Sequence, residues 1–229
     1  MSTPQEIIDQ YNDQPDILIE KLFELTETKE NWRGNLNQEV EVNLYHGTRR
    51  KETPEEIKKN GICTFNVGEV EQFIDEATRQ CKIEIEAGPR VCLWMDRAAT
   101  NLKESFSGRD REFKKEQPIL WASIWGDRSC NWAFRNPELV HDAFYYNTPT
   151  KAMDKILTDL FGTPKTIKAR VKVKLNDLLA NPQNLPTEKH CFKPEEILEV
   201  TECTHEDVVK SYGGRMPKTK SDGGWITRY

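Results

Sequence analysis

No apolar run in this 229-residue chain approaches the ~20 residues a helix needs to cross a bilayer, so no membrane partner is expected. The first ten residues, MSTPQEIIDQ, lack the basic-then-apolar order of a secretory signal, and the expected location is cytoplasmic. Close cysteine pairs are missing as well. The six cysteines (Cys63, Cys81, Cys92, Cys130, Cys191 and Cys203) include no C-x-x-C, the spacing by which zinc sites usually declare themselves. The nearest approach, His190-Cys191 followed by Cys203 and His205, does not have that spacing. No metal is therefore expected, and the thiols are read as reduced and mostly buried. Positive charge is also not in excess. With 33 Lys and Arg against 38 Asp and Glu the net charge is −5, which argues against an all-basic surface for duplex nucleic acid but leaves room for a local basic groove. No internal repeat is present.

What the chain does have is the composition of one globular unit, with 36% hydrophobic and 31% charged residues. Residues 4 to 30 show helical periodicity in Ile7, Ile8 and Tyr11, then in Ile17, Leu18, Leu22, Phe23 and Leu25, with Pro4 and Pro15 placed as first-turn prolines. Glu39 to His46 alternates as a strand, with Val40, Val42 and Leu44 on one face. After Thr48 a basic turn is expected, and Thr53 then caps a helix that Gly61 stops. Further elements are predicted as a helix at 70–80, strands at 91–95 and 118–125, and a helix near 151–161. Residues 126–148 read as irregular and 107–117 as a loop. Thr166 to Leu175 alternates strictly, with Lys168, Arg170, Lys172 and Lys174 outward, a pattern that serves solvation or protects a sheet edge. A one-turn helix at 177–179 and strands at 188–192 and 197–203 follow. These patterns predict an α+β fold: an N-terminal helical extension at 1–38, one domain at 39–209, and a flexible basic tail at 210–229.

Three segments carry candidate chemistry. In Leu44-Tyr45-His46-Gly47-Thr48 a glycine follows a strand-end histidine. That imidazole can bond a sugar hydroxyl, and the glycine lets a ligand approach the backbone, where its amide and carbonyl can pair with a carboxamide. The second segment, Gly88-Pro89-Arg90-Val91-Cys92-Leu93-Trp94-Met95-Asp96, places Trp94 on the same strand face as Cys92. The third, from Thr187-Glu188 through Lys193-Pro194 to Ile197, sets a carboxylate ahead of a proline turn and a strand.

LYHGT, followed by a capped helix ending in Asn60-Gly61-Ile62, resembles the first motif of ADP-ribosyltransferases of the histidine-tyrosine-glutamate class, which contains the poly-ADP-ribose polymerases and diphtheria toxin. The other two segments resemble that family's second strand and its glutamate strand. The resemblance spans about residues 40 to 203, and its specific motifs lie at the two ends. It implies a split mixed β-sheet core and NAD as co-substrate. His46 would hold ribose hydroxyls, Gly47 would pair with the nicotinamide amide, and Glu188 would be the catalytic glutamate. Tyr45, Thr48 and Arg49 would join the nucleotide site, with Arg49, Arg50 and Lys51 either receiving the pyrophosphate or forming a solvated turn. Where the family carries a stacking tyrosine this chain has Cys92. Trp94 either supplies that stack or fills the core. Pro186 stands where arginine-modifying members carry a second acid, which disfavours transfer to arginine.

The chemistry behind this set is that cleaving the nicotinamide–ribose bond builds positive charge on the ribose, as in glycosidases. A carboxylate beside it favours the transition state over the neutral substrate. The activity expected from the resemblance is NAD-dependent transfer of ADP-ribose to a macromolecular acceptor, protein or nucleic acid, in a toxin, effector or defence enzyme. NAD glycohydrolysis at the same site and an inactive module that binds ADP-ribose or nucleic acid are the alternatives. The aromatic stretch Trp121, Trp125, Trp132, Phe134, Phe144, Tyr145 and Tyr146 either stacks bases or belongs to the core.

Overall fold

Two helices begin by the same local device. The Thr3 and Thr53 hydroxyls accept the N–H groups of Glu6 and Glu56, whose carboxylates return to the threonine N–H groups, and a proline opens each helix. They are α1 (Pro4–Tyr11) and α3 (Pro54–Asn60). Between α1 and α2 (Pro15–Glu27) the chain turns at Asn12–Gln14, because Pro15 has no N–H to continue the first helix and fits the first turn of the next. The computed structural model describes residues 2–27, 35–64, 120–135 and 161–204, and isolated positions at 72, 76, 79, 158, 159 and 207. The helix expected at 70–80 falls almost wholly outside these residues. So do the strand at 91–95 with Cys92 and Trp94, the loop at 107–117, most of the helix near 151–161, and the tail.

The centre is an antiparallel ladder between β1 (Glu39–Arg50) and β4 (Thr163–Lys174), in register from Glu39↔Lys174 to Arg50↔Thr163. β1 runs on past Thr48, where the sequence predicts a basic turn, and buries Arg49 and Arg50. Alternation sorts its side chains. Val40, Val42, Leu44, His46 and Thr48 share a face with Val173, Val171, Ala169, Ile167 and Lys165, and all ten are buried. At roughly 1.5–3 kcal/mol for each fully buried aliphatic side chain, this face anchors the fold. Ile7, Ile8, Leu18 and Leu22 from the first two helices join the same core.

β7 (Ile197–Glu202) pairs with the far edge of β4. Two short pairs flank the ladder. β2 (Ile62–Cys63) lies against β6 (Cys191–Phe192), and β3 (Trp121–Ala122) against β5 (Leu185–Pro186). A short helix, α5 (Leu175–Ala180), leads from β4 towards β5. Every strand pair among the described residues is antiparallel, whereas a mixed sheet was expected; the fold is α+β with antiparallel sheets.

The near edge of β1 is occupied. Gln5 donates to Glu41 O at 3.0 Å and accepts its N–H at 2.8 Å, and Asn12 accepts the Asn43 N–H at 2.9 Å. These side-chain amides take the place of a neighbouring strand. Three of the four outward basic side chains of β4 are paired: Lys168 with Asp13 at 2.6 Å, Arg170 with Asp9 at 2.6 Å, and Lys174 with Glu188 at 3.1 Å.

Residues 126–135, expected to be irregular, form α4 (Gly126–Arg135), which packs across β1 and β4. Among its described side chains Ser129, Cys130 and Ala133 are buried. Such small side chains let a helix backbone come close to a sheet, and they give little of the hydrophobic periodicity by which helices are read from sequence.

The thiols are not all reduced. Cys63 and Cys191 are cross-strand partners in β2–β6 and form a disulfide across 128 positions of sequence. Cys130 and Cys203 are free thiols. Among the described residues, no helix is long and apolar enough to cross a membrane.

Candidate functional site

His46, Gly47, Thr48 and Arg49 lie inside β1, close to the point where β3 parts from it. Tyr45 exchanges both backbone hydrogen bonds with Ser123, at 2.7 and 2.8 Å, in an isolated bridge. Beyond that bridge β3 turns to β5, and the Trp121 carbonyl meets His46 Nδ1 at 2.7 Å instead of a β1 amide. A carbonyl can only accept, so Nδ1 carries the proton and the ring of a neutral His46 has its acceptor at Nε2. The edge of the same ring meets Phe192 of β6 at 6.1 Å between centroids, and the side chain is almost wholly buried. Strand parity turns the Gly47 backbone the same way as that of Tyr45, away from β4 and towards the parting of β1 and β3.

Gly47 also has a structural reason to be glycine. A Cβ there would stand 1.9 Å from the Ser129 carbonyl oxygen and 2.9 Å from the Ala133 nitrogen, both α4 backbone atoms. The close approach is made by a helix on the face of the strand. Ser129 Oγ seals the contact by donating to Tyr45 O at 2.7 Å.

The other nucleotide-site candidates have different surroundings. Tyr45 points to the face opposite His46, with Lys168 Nζ 5.7 Å from its ring centre and Gly126 against its edge. Thr48 is buried on the core face. Arg49 is neither a pyrophosphate clamp at the surface nor part of a solvated turn. It is fully buried, with Nε donating to Ala133 O at 3.1 Å and Nη1 to Thr158 Oγ1 at 3.0 Å and Gly162 O at 3.5 Å. Arg50 is buried too and donates through Nη2 to Cys63 O, while Lys51 stays exposed.

Glu188 lies in the segment between β5 and β6, where a strand was expected. Its φ of 56° makes it the one non-glycine residue with a left-handed backbone among the described residues. Its neighbours are tied to Leu120, the residue just before β3. Thr187 N–H donates to Leu120 O at 3.1 Å, and Leu120 N–H to Lys189 O at 2.6 Å. The carboxylate itself is exposed and pairs with Lys174. Lys174 stands opposite Glu39, seven register positions from His46, about 23 Å along the strand at the usual rise. The structure thus brings His46 and Gly47 together with Trp121 and Phe192 but leaves the Glu188 carboxylate away from them.

Of the aromatic stretch, Trp121 is exposed, while Trp125 packs against the core and donates through Nε1 to Asp16 at 3.0 Å. The Trp121 carbonyl that orients His46 has no counterpart in sequence reasoning, because a backbone oxygen leaves no signature in residue type. No group of His, Cys, Asp and Glu able to hold a metal ion is present among the described residues. No protein-family model, curated protein or solved structure matches the chain.

Proposed function

We propose that this chain is an NAD-consuming enzyme of the ADP-ribosyltransferase type, which cleaves the nicotinamide–ribose bond and transfers ADP-ribose to a protein or nucleic-acid acceptor. The observation that carries the proposal is the His46–Gly47 pair at the parting of β1 and β3. There an imidazole of fixed orientation adjoins a backbone N–H and C=O that strand parity turns away from β4. A sugar hydroxyl and a carboxamide are the ligand groups that this donor and acceptor set suits. A split sheet of the transferase type, with NAD along the parting, is part of the same proposal.

In this reading Glu188 stabilises the oxocarbenium-like ribose, and it must first exchange Lys174 for the substrate. The left-handed backbone at Glu188 supports such a role, since conformations of this kind are held at a cost of about 1–3 kcal/mol and gather at active sites. A second reading, a module that binds ADP-ribose without turning NAD over, draws support from the Lys174–Glu188 pair as it stands.

Incubation with NAD labelled in the adenylate half, followed by separate recovery of protein, nucleic acid and free ADP-ribose, tests the proposal. Transfer puts label on a macromolecule, and glycohydrolysis releases it as ADP-ribose. Glu188→Gln should retain NAD binding and lose turnover by about 10²-fold or more. If the parent binds NAD without consuming it, the module reading replaces the enzyme. If a chelator-treated sample gives no heat with millimolar NAD, both readings fall.

A further inference from the structure

The free thiols of Cys130 and Cys203 lie on different elements but converge on one spot. Cys130 follows Ser129 in α4, and the Ser129 carbonyl presses on Gly47. Gly47 is the register partner of Thr166 in β4. The Thr166 hydroxyl lies 3.0 Å from the sulfur of Cys203, just past the end of β7. The Cys203 N–H donates to Pro164 O at 2.9 Å, which holds the residue against β4. Cys130 therefore approaches from the helix side and Cys203 from the strand side, near enough for each thiol to influence the ionisation of the other.

The two sulfurs differ in the way an attacking and a resolving thiol differ. Cys130 is buried, while Cys203 is partly exposed. Hydrogen bonds from Cys130 and Thr166 lower the Cys203 thiol below its ordinary value, and the Arg49 charge adds to them; burial and Asp207 oppose. For Cys130 the bond to Cys203, burial, and the charges of Cys203, Asp207 and Asp127 all act to keep the proton on. The thiolate is the nucleophile in disulfide exchange, so the less buried member of the pair is also the readier to react.

We propose that Cys203 and Cys130 form a thiol–disulfide exchange site whose substrate is a low-molecular-weight disulfide such as oxidised glutathione. The Cys203 thiolate attacks one sulfur of the disulfide, forming a mixed disulfide and expelling one glutathione thiolate. Cys130 then loses its proton to solvent and attacks the Cys203 sulfur, forming the Cys130–Cys203 bond and expelling the second glutathione thiolate. Two protein thiols are oxidised and one glutathione disulfide is reduced to two glutathione molecules. The product bond ties α4 to the end of β7 across β4, and so fixes the helix that covers Gly47. The site stands apart from the nucleotide reading and from the Cys63–Cys191 bond.

The test is peptide mapping of the full chain, acid-quenched after incubation with oxidised glutathione at neutral pH. The parent should yield a linked Cys130–Cys203 peptide, and Cys130→Ser should stop at a glutathione adduct on Cys203. Recovery of both thiols free in the parent overturns the proposal, as does an adduct that forms faster on Cys130 in Cys203→Ser than on Cys203 in Cys130→Ser. Should Cys130→Ser not fold, the hydroxyl contact provides a second measurement. Thr166→Val should slow alkylation of Cys203 by iodoacetamide by roughly 3-fold or more, since it removes one donor to the thiolate. An unchanged rate overturns the role assigned to that contact, and with it the assignment of Cys203 as the attacking thiol.

Discussion

Replacing Gly47 with alanine separates a glycine kept for a helix from one kept only for a ligand. The added methyl would stand 1.9 Å from the Ser129 carbonyl oxygen, about 1 Å inside the closest approach that Cβ atoms make. Backbone conformation is not the obstacle, because Gly47 is absent from the residues with positive φ. The helix must retreat, and two contacts that hold it weaken: Ser129 Oγ to Tyr45 O at 2.7 Å and Arg49 Nε to Ala133 O at 3.1 Å. Overpacking of this kind costs about 1–3 kcal/mol, and the two hydrogen bonds add about 1 kcal/mol or more. A loss of roughly 3 kcal/mol is expected, which for a chain of this size lowers the melting temperature by about 6–12 °C. Urea unfolding without nucleotide gives the free-energy change, and an unchanged slope shows that the denatured state is unaffected. Ser129→Ala in the Gly47→Ala background should not restore stability, because the obstacle is a backbone oxygen. A Gly47→Ala protein within about 0.5 kcal/mol of the parent, or a rescue by Ser129→Ala, would refute the packing argument.

Arg49→Lys should destabilise the protein by roughly 2–4 kcal/mol, since one ammonium cannot reach the Ala133, Thr158 and Gly162 acceptors that the buried guanidinium spans; thermal melting checks this. Cys63→Ala with Cys191→Ala should cost about 2–5 kcal/mol, because the crosslink closes a 128-residue separation in the unfolded chain, and denaturant titration without reductant measures it. Asp9 and Asp13 are held below the ordinary carboxylate range by hydrogen bonds from Arg170 and Lys168. Their stabilisation is complete above the unfolded value near 3.9 and is lost as pH falls through the lower folded values. Both carboxylates are exposed to solvent, so each pair contributes no more than about 1 kcal/mol. Asp9→Asn with Asp13→Asn should flatten that part of the acid unfolding curve, and 1 M salt should do the same to the parent.

Local periodicity and capping chemistry determined much of the framework. Thr3 and Thr53 each stand three residues before a glutamate and one before a proline, and this alone starts α1 and α3. Strict alternation in residues 166–175 marks β4, because one face must be apolar wherever a strand lies on a core. The same logic identified Val40, Val42 and Leu44 as the inward row of β1, while His46 and Gly47 stood out as a histidine–glycine pair expected at that strand's end. Their surroundings needed the tertiary structure. A motif lists residue types, but whether Gly47 yields space to a ligand or to a helix depends on a helix more than 80 positions later. That helix was itself hidden, because the side chains it is seen to bury, Ser129, Cys130 and Ala133, are small. Arg49 read as a surface cation because arginine is rarely buried; only the convergence of Ala133, Thr158 and Gly162 on one point makes its burial tolerable. The cysteines show the limit most plainly. Spacing in sequence carries no information about Cys63 and Cys191, or about Cys130 and Cys203, since each pair is joined by strand pairing and helix packing between distant parts of the chain. For Glu188 the sequence offered a carboxylate ahead of a proline turn, but the direction its side chain takes depends on where the nearest cation lies, and in the fold that cation is Lys174.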